Sequence, residues 1–130
     1  MASLRIETLR AGYRAFNRRD VEKALQMLDP QVEWPNRIAR RVLCGQQALR
    51  QYWTRQFRLF DCRVEPEELV EEGDRILAIV RQRVRRLSSG AQQDLQIGHL
   101  YTFRGVRAMK MQVFTDLEAA KRALGGSVDG

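Results

Sequence analysis

His99 is the one histidine in the chain. Its imidazole is the side chain here whose ordinary pKa lies near neutrality, so it is the first candidate for moving a proton or hydrogen-bonding a carbonyl. It stands in an alternating stretch, Leu95, Ile97, His99, Tyr101, Phe103, whose other members are apolar or aromatic. That pattern describes a strand with one buried face. A polar group buried there without a partner costs about 1–3 kcal/mol. Gln82 breaks a second alternating row, Ile76, Ala78, Val80, Gln82, Val84, in the same way. His99 is therefore the catalytic candidate, with Gln82 and Tyr101 assisting. The rival reading is a core histidine bonded to a nearby backbone or hydroxyl group, and the residues leave both open. Pairing strand 76–86 with strand 94–104 is expected to set Val80 near His99 and Gln82 near Ile97.

Other chemistries find less support. The two cysteines, Cys44 and Cys62, lie 18 positions apart with no C-x-x-C pair, so zinc-ligand spacing is absent. No metal and no cofactor is expected, and Cys44 reads as a small apolar filler. The net charge is +7, spread along the chain, with its densest patches at Arg37, Arg40 and Arg41 and at Arg81, Arg83, Arg85 and Arg86. No aromatic residues interleave these patches, which argues against a nucleic-acid partner. Without an N-terminal apolar run, the expectation is a cytoplasmic protein with reduced thiols and no membrane partner.

These side chains need elements to position them. Ile6, Leu9, Tyr13 and Phe16 fall at intervals of 3, 4 and 3, predicting a helix over Leu4 to Asn17. Asp20 caps a second short helix, with Ala24, Leu25 and Leu28 as its buried stripe and Asp29-Pro30 as its stop. Val32-Glu33-Trp34 reads as a short extended piece. Asn36 to Leu43 reads as a basic irregular loop. Gly45 opens a third helix through Phe60. Strands follow from Arg63, with Gly73-Asp74 as a tight turn and Pro66 marking an edge strand. Met109, Met111 and Val113 form a last inward row, and Asp116 caps a final helix. Polarity wants odd positions inward on both sides of the turn at 104–107, which requires a bulge or a longer turn near Gly105. The chain is one domain, residues 1–124, with a loose tail over 125–130.

Four stretches resemble the SnoaL-like branch of the nuclear-transport-factor-2-like superfamily. Tyr13-Arg14-Ala15-Phe16-Asn17-Arg18-Arg19-Asp20 looks like its opening. Val32-Glu33-Trp34 resembles its first strand. Gly45-Gln46-Gln47-Ala48-Leu49-Arg50 through Trp53 resembles its third helix. His99 to Arg104 and Val113 to Asp116 resemble its closing hairpin. The resemblance implies an α+β fold, a cone-shaped, curved, mostly antiparallel sheet packed against three N-terminal helices, with a short C-terminal helix. It also implies an apolar pocket between sheet and helices. Its expected lining is Tyr13, Trp34, Trp53, Val80, Ile97, Met109, Met111 and Val113, beside Gln82, His99 and Tyr101.

The family's chemistries carry over unevenly. Against the ketosteroid-isomerase relatives, Trp34 falls at the general base, His99 at the hydrogen-bonding acid and Gly12 at the catalytic tyrosine. Against the limonene-epoxide-hydrolase and cyclase relatives, the final-strand aspartate falls at Val113. Arg81 and Gln82 stand near the hydrolase's earlier pair. Asp116 reads as a helix cap. The resemblance thus implies a small-molecule pocket protein acting as an acid–base cyclase or isomerase on an apolar, oxygenated polyketide-, steroid- or terpene-like molecule. The alternatives are a non-catalytic ligand-binding protein and a dimeric scaffold, since this fold commonly forms homodimers through its sheet.

Overall fold

The computed structural model describes residues 3–36 and 40–125. Helix α1 (Leu4–Asn17) begins where the Ser3 side chain accepts a hydrogen bond from the Ile6 N–H at 3.1 Å, satisfying one free donor of the first turn. Its apolar stripe buries Leu9 and Tyr13. A leucine buried in this way contributes roughly 1.5–3 kcal/mol. Asp20 caps α2 (Val21–Leu25) by accepting from the Lys23 N–H. The second helix stops before the expected Asp29-Pro30 break. Leu28, Asp29 and Pro30 instead open β1 (Leu28–Asn36), because the Met27 carbonyl accepts from the Ala108 N–H at 2.9 Å and draws the chain into the sheet.

β2 (Arg41–Cys44) pairs antiparallel with β1, Trp34 opposite Leu43 and Pro35 opposite Val42. Much of the stretch read as an irregular loop is therefore strand. Arg37, Ile38 and Ala39 lie outside the described residues, as do residues 126–130 of the expected loose tail. Cys44, expected as an apolar filler, is exposed at the end of β2. Helix α3 (Gln46–Leu59) buries Leu49 and Trp53, and Gln46 ties its start to α2 and β1 by donating to the carbonyls of Leu25 and Leu28.

Four long strands complete an open sheet of order β2-β1-β6-β5-β4-β3: β3 (Phe60–Glu72), β4 (Arg75–Arg86), β5 (Gln92–Arg104) and β6 (Arg107–Phe114). β1 and β6 run parallel and the other neighbours antiparallel. β3 lies at the edge, as Pro66 predicts, with a register shift between Pro66 and Glu68. Asn17 covers part of that edge. Its amide donates to the Val64 carbonyl and its oxygen accepts from the Val64 N–H, both at 2.8 Å, as a neighbouring strand would.

The β5–β6 turn is a regular two-residue one, with Arg104 opposite Arg107 and Phe103 opposite Ala108. The irregularity that polarity demands sits farther along, where the partner of Thr102 jumps to Lys110. Met109 is the extra residue. Ala108 and Met111 are buried on either side of it, while Met109 is only half-buried. The β4–β5 register also differs from the expected one by two residues. Ala78 faces His99, Val80 faces Ile97 and Gln82 faces Leu95. The connecting turn closes one residue earlier than the pattern implies. The Gly90 N–H donates to the Arg86 carbonyl at 2.7 Å, and Ala91 then lies opposite Arg86.

Helices α1 to α3 pack on one sheet face, over Ile76, Ala78, Val80, Ile97, Tyr101 and Phe103. Helix α4 (Leu117–Gly125), capped by Asp116, packs on the other, where Ala120 and Leu124 meet Leu77, Ile79 and Leu100. Beyond α4 that second face is charged. Arg81 pairs with Glu67 and Asp94, and Arg85 with Asp61. Among the described residues no helix is long and apolar enough to cross a membrane.

Gly98 lets α4 come this close. A Cβ there would stand 2.9 Å from the Ala120 Cβ and 3.3 Å from Leu77 Cδ1. Gly98→Ala is expected to lower stability by about 1–3 kcal/mol through overpacking. Adding Ala120→Gly should recover part of the loss, both read from thermal unfolding.

Candidate functional site

Three side chains meet at the buried end of the space between sheet and helices. Tyr13 comes from α1, and His99 and Tyr101 come from the inward row of β5. The Tyr13 hydroxyl lies 2.9 Å from His99 Nδ1 and 2.8 Å from the Tyr101 hydroxyl. Each of the three is less than a tenth exposed. Tyr13 reaches them because α1 lies close against the start of β1. At Gly12 a side chain would run into Met27, whose Sδ is 2.1 Å from where a Cβ would stand. The position that the family resemblance aligns with a catalytic tyrosine thus has no room for one, and the next residue supplies the hydroxyl.

Each hydroxyl has one proton to donate, so the chain has two states. In one, Tyr101 donates to Tyr13 and Tyr13 donates to Nδ1. In the other, Nδ1–H donates to Tyr13, Tyr13 donates to Tyr101, and the Tyr101 proton turns to another acceptor. Burial, aided by the facing Tyr101 hydroxyl, holds the Tyr13 pKa well above its usual value. Burial raises Tyr101 too, opposed by its hydrogen bond to Tyr13. Both phenols are therefore neutral donors around neutral pH.

These groups form part of the wall of a cavity of about 480 Å³. Helix α1 adds Phe16, α3 adds Tyr52, Trp53, Gln56 and Phe57, and β1 adds Trp34 and Pro35. The sheet contributes Cys62 and Val64 from β3, Gln82 and Val84 from β4, and Met111 and Val113 from β6. Trp34 meets Trp53 edge to face, with ring centroids 5.3 Å apart. No carboxylate, lysine or arginine lines the cavity among the described residues. Burial pushes the Cys62 thiol up to about 11, with Asp61 adding to the rise and Arg19 opposing it, so the thiol stays protonated at neutral pH.

The structure brings together on this wall His99, Tyr101, Tyr13, Trp34, Trp53, Met111, Val113 and Gln82. It does not bring Val80, Ile97 or Met109 there. Val80 and Ile97 are packed into the core, and the bulge takes Met109 out of the inward row. Gln82 shares the cavity with His99 but pairs with Leu95, four residues along β5, which is about 13 Å. It does not touch the hydrogen-bonded trio. Sequence reasoning placed Tyr13 on the wall and missed its bond to His99. It also missed Tyr52, Gln56 and Phe57, although their helical spacing from Trp53 puts them near the same face. Among the described residues no cluster of three or more His, Cys, Asp or Glu is placed to hold a metal ion.

A family model for the SnoaL-like domain matches residues 9–111. No protein of curated function matches the sequence. Among solved structures, an NTF2-like protein of unknown function from Burkholderia pseudomallei is 26% identical with a TM-score of 0.80, over 95% of this chain and 98% of that one. TerC, co-crystallised with polyporic acid, is 27% identical with a TM-score of 0.78, over 96% and 100%. An LEH-like epoxide hydrolase from M. tuberculosis shares the fold at 11% identity, with a TM-score of 0.75 over 96% and 92%.

Two outcomes are expected of the hydroxyl chain. Tyr13→Phe removes the hydroxyl that bonds both His99 Nδ1 and the Tyr101 hydroxyl, and should cost about 1–3 kcal/mol in urea or thermal unfolding. Stability should also fall with rising pH on the alkaline side. In the unfolded chain Cys62 and the tyrosines lose their protons from their ordinary values of 9.0 and 10.0, while in the folded chain they keep them to higher pH. The folded state then binds more protons than the unfolded one, so stability is lost as pH rises from about 9. Tyr101→Phe should flatten that loss above about pH 10, measured by unfolding at stepped pH.

Proposed function

The chain belongs to the SnoaL-like domain family, and from that premise we propose that its cavity binds an apolar, oxygenated small molecule of polyketide-, steroid- or terpene-like size. The observation that carries this reading is the His99–Tyr13–Tyr101 chain at the buried end of an otherwise mostly apolar cavity. Such a site takes a flat or ring-shaped body by burial and fixes one oxygen by hydrogen bonds. Tyr101, neutral and backed by Tyr13, donates to a carbonyl or enolate oxygen. His99 takes or returns the proton of an isomerisation or ring closure, and the Nδ1–H of the imidazolium then formed donates to the Tyr13 hydroxyl. Trp34, Trp53, Met111 and Val113 hold the body of the molecule in place. The relative co-crystallised with polyporic acid supports a ligand of this general kind.

A second reading has its own observation. No carboxylate lines the cavity among the described residues, so an acid–base pair of the sort used by the isomerase and cyclase relatives is incomplete. A protein that holds such a ligand without turning it over fits that lining equally well.

One experiment tests the cavity and then separates the two readings. Purified protein is screened by thermal shift against polycyclic aromatic ketones, steroids, terpene epoxides, lactones and polyporic acid. A ligand at about 100 times its dissociation constant adds roughly 2.7 kcal/mol, a shift of several degrees for a domain of this size. The expected result is at least one shift that His99→Ala reduces. A cavity that holds ligands gives such shifts, and a panel that produces none removes the reading. Product formation lost in His99→Gln identifies an enzyme, and binding without product identifies a binding protein.

A further inference from the structure

The hydrogen-bonded trio stands at one end of the cavity, and amides stand at the other. Gln82 and Gln93 line the cavity from β4 and β5. Gln82 faces Leu95 in the ladder and Val84 faces Gln93. The two glutamines are therefore diagonal neighbours on the inward face, about 7–8 Å apart and within reach of a common group. Gln56 joins them from α3. That helix passes directly into β3 at Phe60, which pairs with Arg86 near the end of β4. Gln56, one turn earlier, thus belongs to the same end.

These amides differ from those that support the fold. Gln46 donates to the carbonyls of Leu25 and Leu28, and the outward Gln96 donates to Glu67 at 2.8 Å. Among the described residues no side-chain hydrogen bond engages Gln56, Gln82 or Gln93. Each has two N–H donors and a carbonyl acceptor to offer. Gln56 and Gln82 are half-buried. A ligand that covers them displaces their water and has to return the hydrogen bonds. No lysine, arginine or carboxylate lines the wall among the described residues, so a neutral group fits this end better than an ionised one. A hydroxyl matches it best, donating to one amide oxygen while accepting from the neighbouring N–H.

We propose that the glutamine end is a second polar pole of the cavity. Its ligand is then an elongated, neutral ring system with an oxygen at each end. His99 and Tyr101 hold one oxygen, and the Gln82 and Gln93 amides hold the other, a hydroxyl. The poles are about 13 Å apart along β5, which calls for several fused or linked rings. This inference rests on the cavity being a ligand site, as proposed above. It narrows the ligand class from apolar oxygenated molecules in general to those hydroxylated at the far end.

Two matched pairs of probes test the second pole. Estradiol is compared with its 17-deoxy analogue, and 4,4″-dihydroxy-p-terphenyl with 4-hydroxy-p-terphenyl. Within each pair the ring system is the same and one terminal hydroxyl is missing. By equilibrium dialysis against the full chain, the diol of at least one pair is expected to bind about tenfold tighter than its partner. The Gln82→Met, Gln93→Met double variant should abolish that preference and leave affinity for the mono-hydroxy partner unchanged. Its thermal midpoint shows that it is folded. The single Gln93→Met variant, at an exposed position, should lose part of the preference and serves as the test if the double variant does not fold. His99→Ala should weaken both members of the pair alike and keep the preference, because distant contacts add independently. Equal affinities within both pairs, or a preference that survives in the double variant, overturns the second pole and leaves the cavity reading standing. Failure of all four probes to bind overturns the cavity reading and the second pole with it.

Discussion

A buried imidazole has to be hydrogen-bonded, and much of this structure can be understood from how that demand is met. His99 lies on the inward face of β5 among apolar neighbours. Its Nδ1 partner comes from a different element, Tyr13 on α1. For the hydroxyl to arrive, α1 must cross the sheet at close range, and it does so where Gly12 presents no side chain to Met27. The same helix ends with Asn17 bound to the edge of β3 on both its N–H and its carbonyl. One helix thus supplies the site's central hydroxyl and protects the most exposed strand of the sheet.

The sheet serves two purposes along its length. Near the middle of the chain's long strands both faces are covered, with α1 to α3 on one side and α4 on the other. Farther along β4 the covering helices run out. There the inward residues, Gln82 and Val84, line the cavity, and the outward ones are arginines held by shared carboxylates. The site is built where packing gives way to open space. An apolar interior and two phenols kept neutral by burial lie on one face of the sheet, and guanidinium groups on the other, within one strand length.

The chain has the frame of the SnoaL-like family, matched over residues 9–111. Trp34 and Val113, which the family resemblance aligns with acids of relatives, both face the cavity. The cavity wall carries His99 and two neutral phenols and, among the described residues, no carboxylate.

The helices and the inward rows were legible from local pattern. Ile6, Leu9, Tyr13 and Phe16 repeat at the helical period, and Pro66 fits an edge because it has no N–H for a second neighbour. Such signals depend on nearest neighbours along the chain, and the sequence contains them in full. Leu28 to Pro30 is strand rather than helix because β6, eighty residues away, supplies the hydrogen bond. The two-residue shift between β4 and β5, and the bulge that removes Met109 from the cavity, were settled by how turns close and strands align. The sequence by itself therefore determined which residues are polar, apolar or ionisable and which local elements they favour. Only the tertiary structure decided that the Tyr13 hydroxyl bonds both His99 and Tyr101, and that the outward arginines of β4 share carboxylates of β3 and β5. Contacts between distant segments depend on register and approach distance, and no residue carries that information alone.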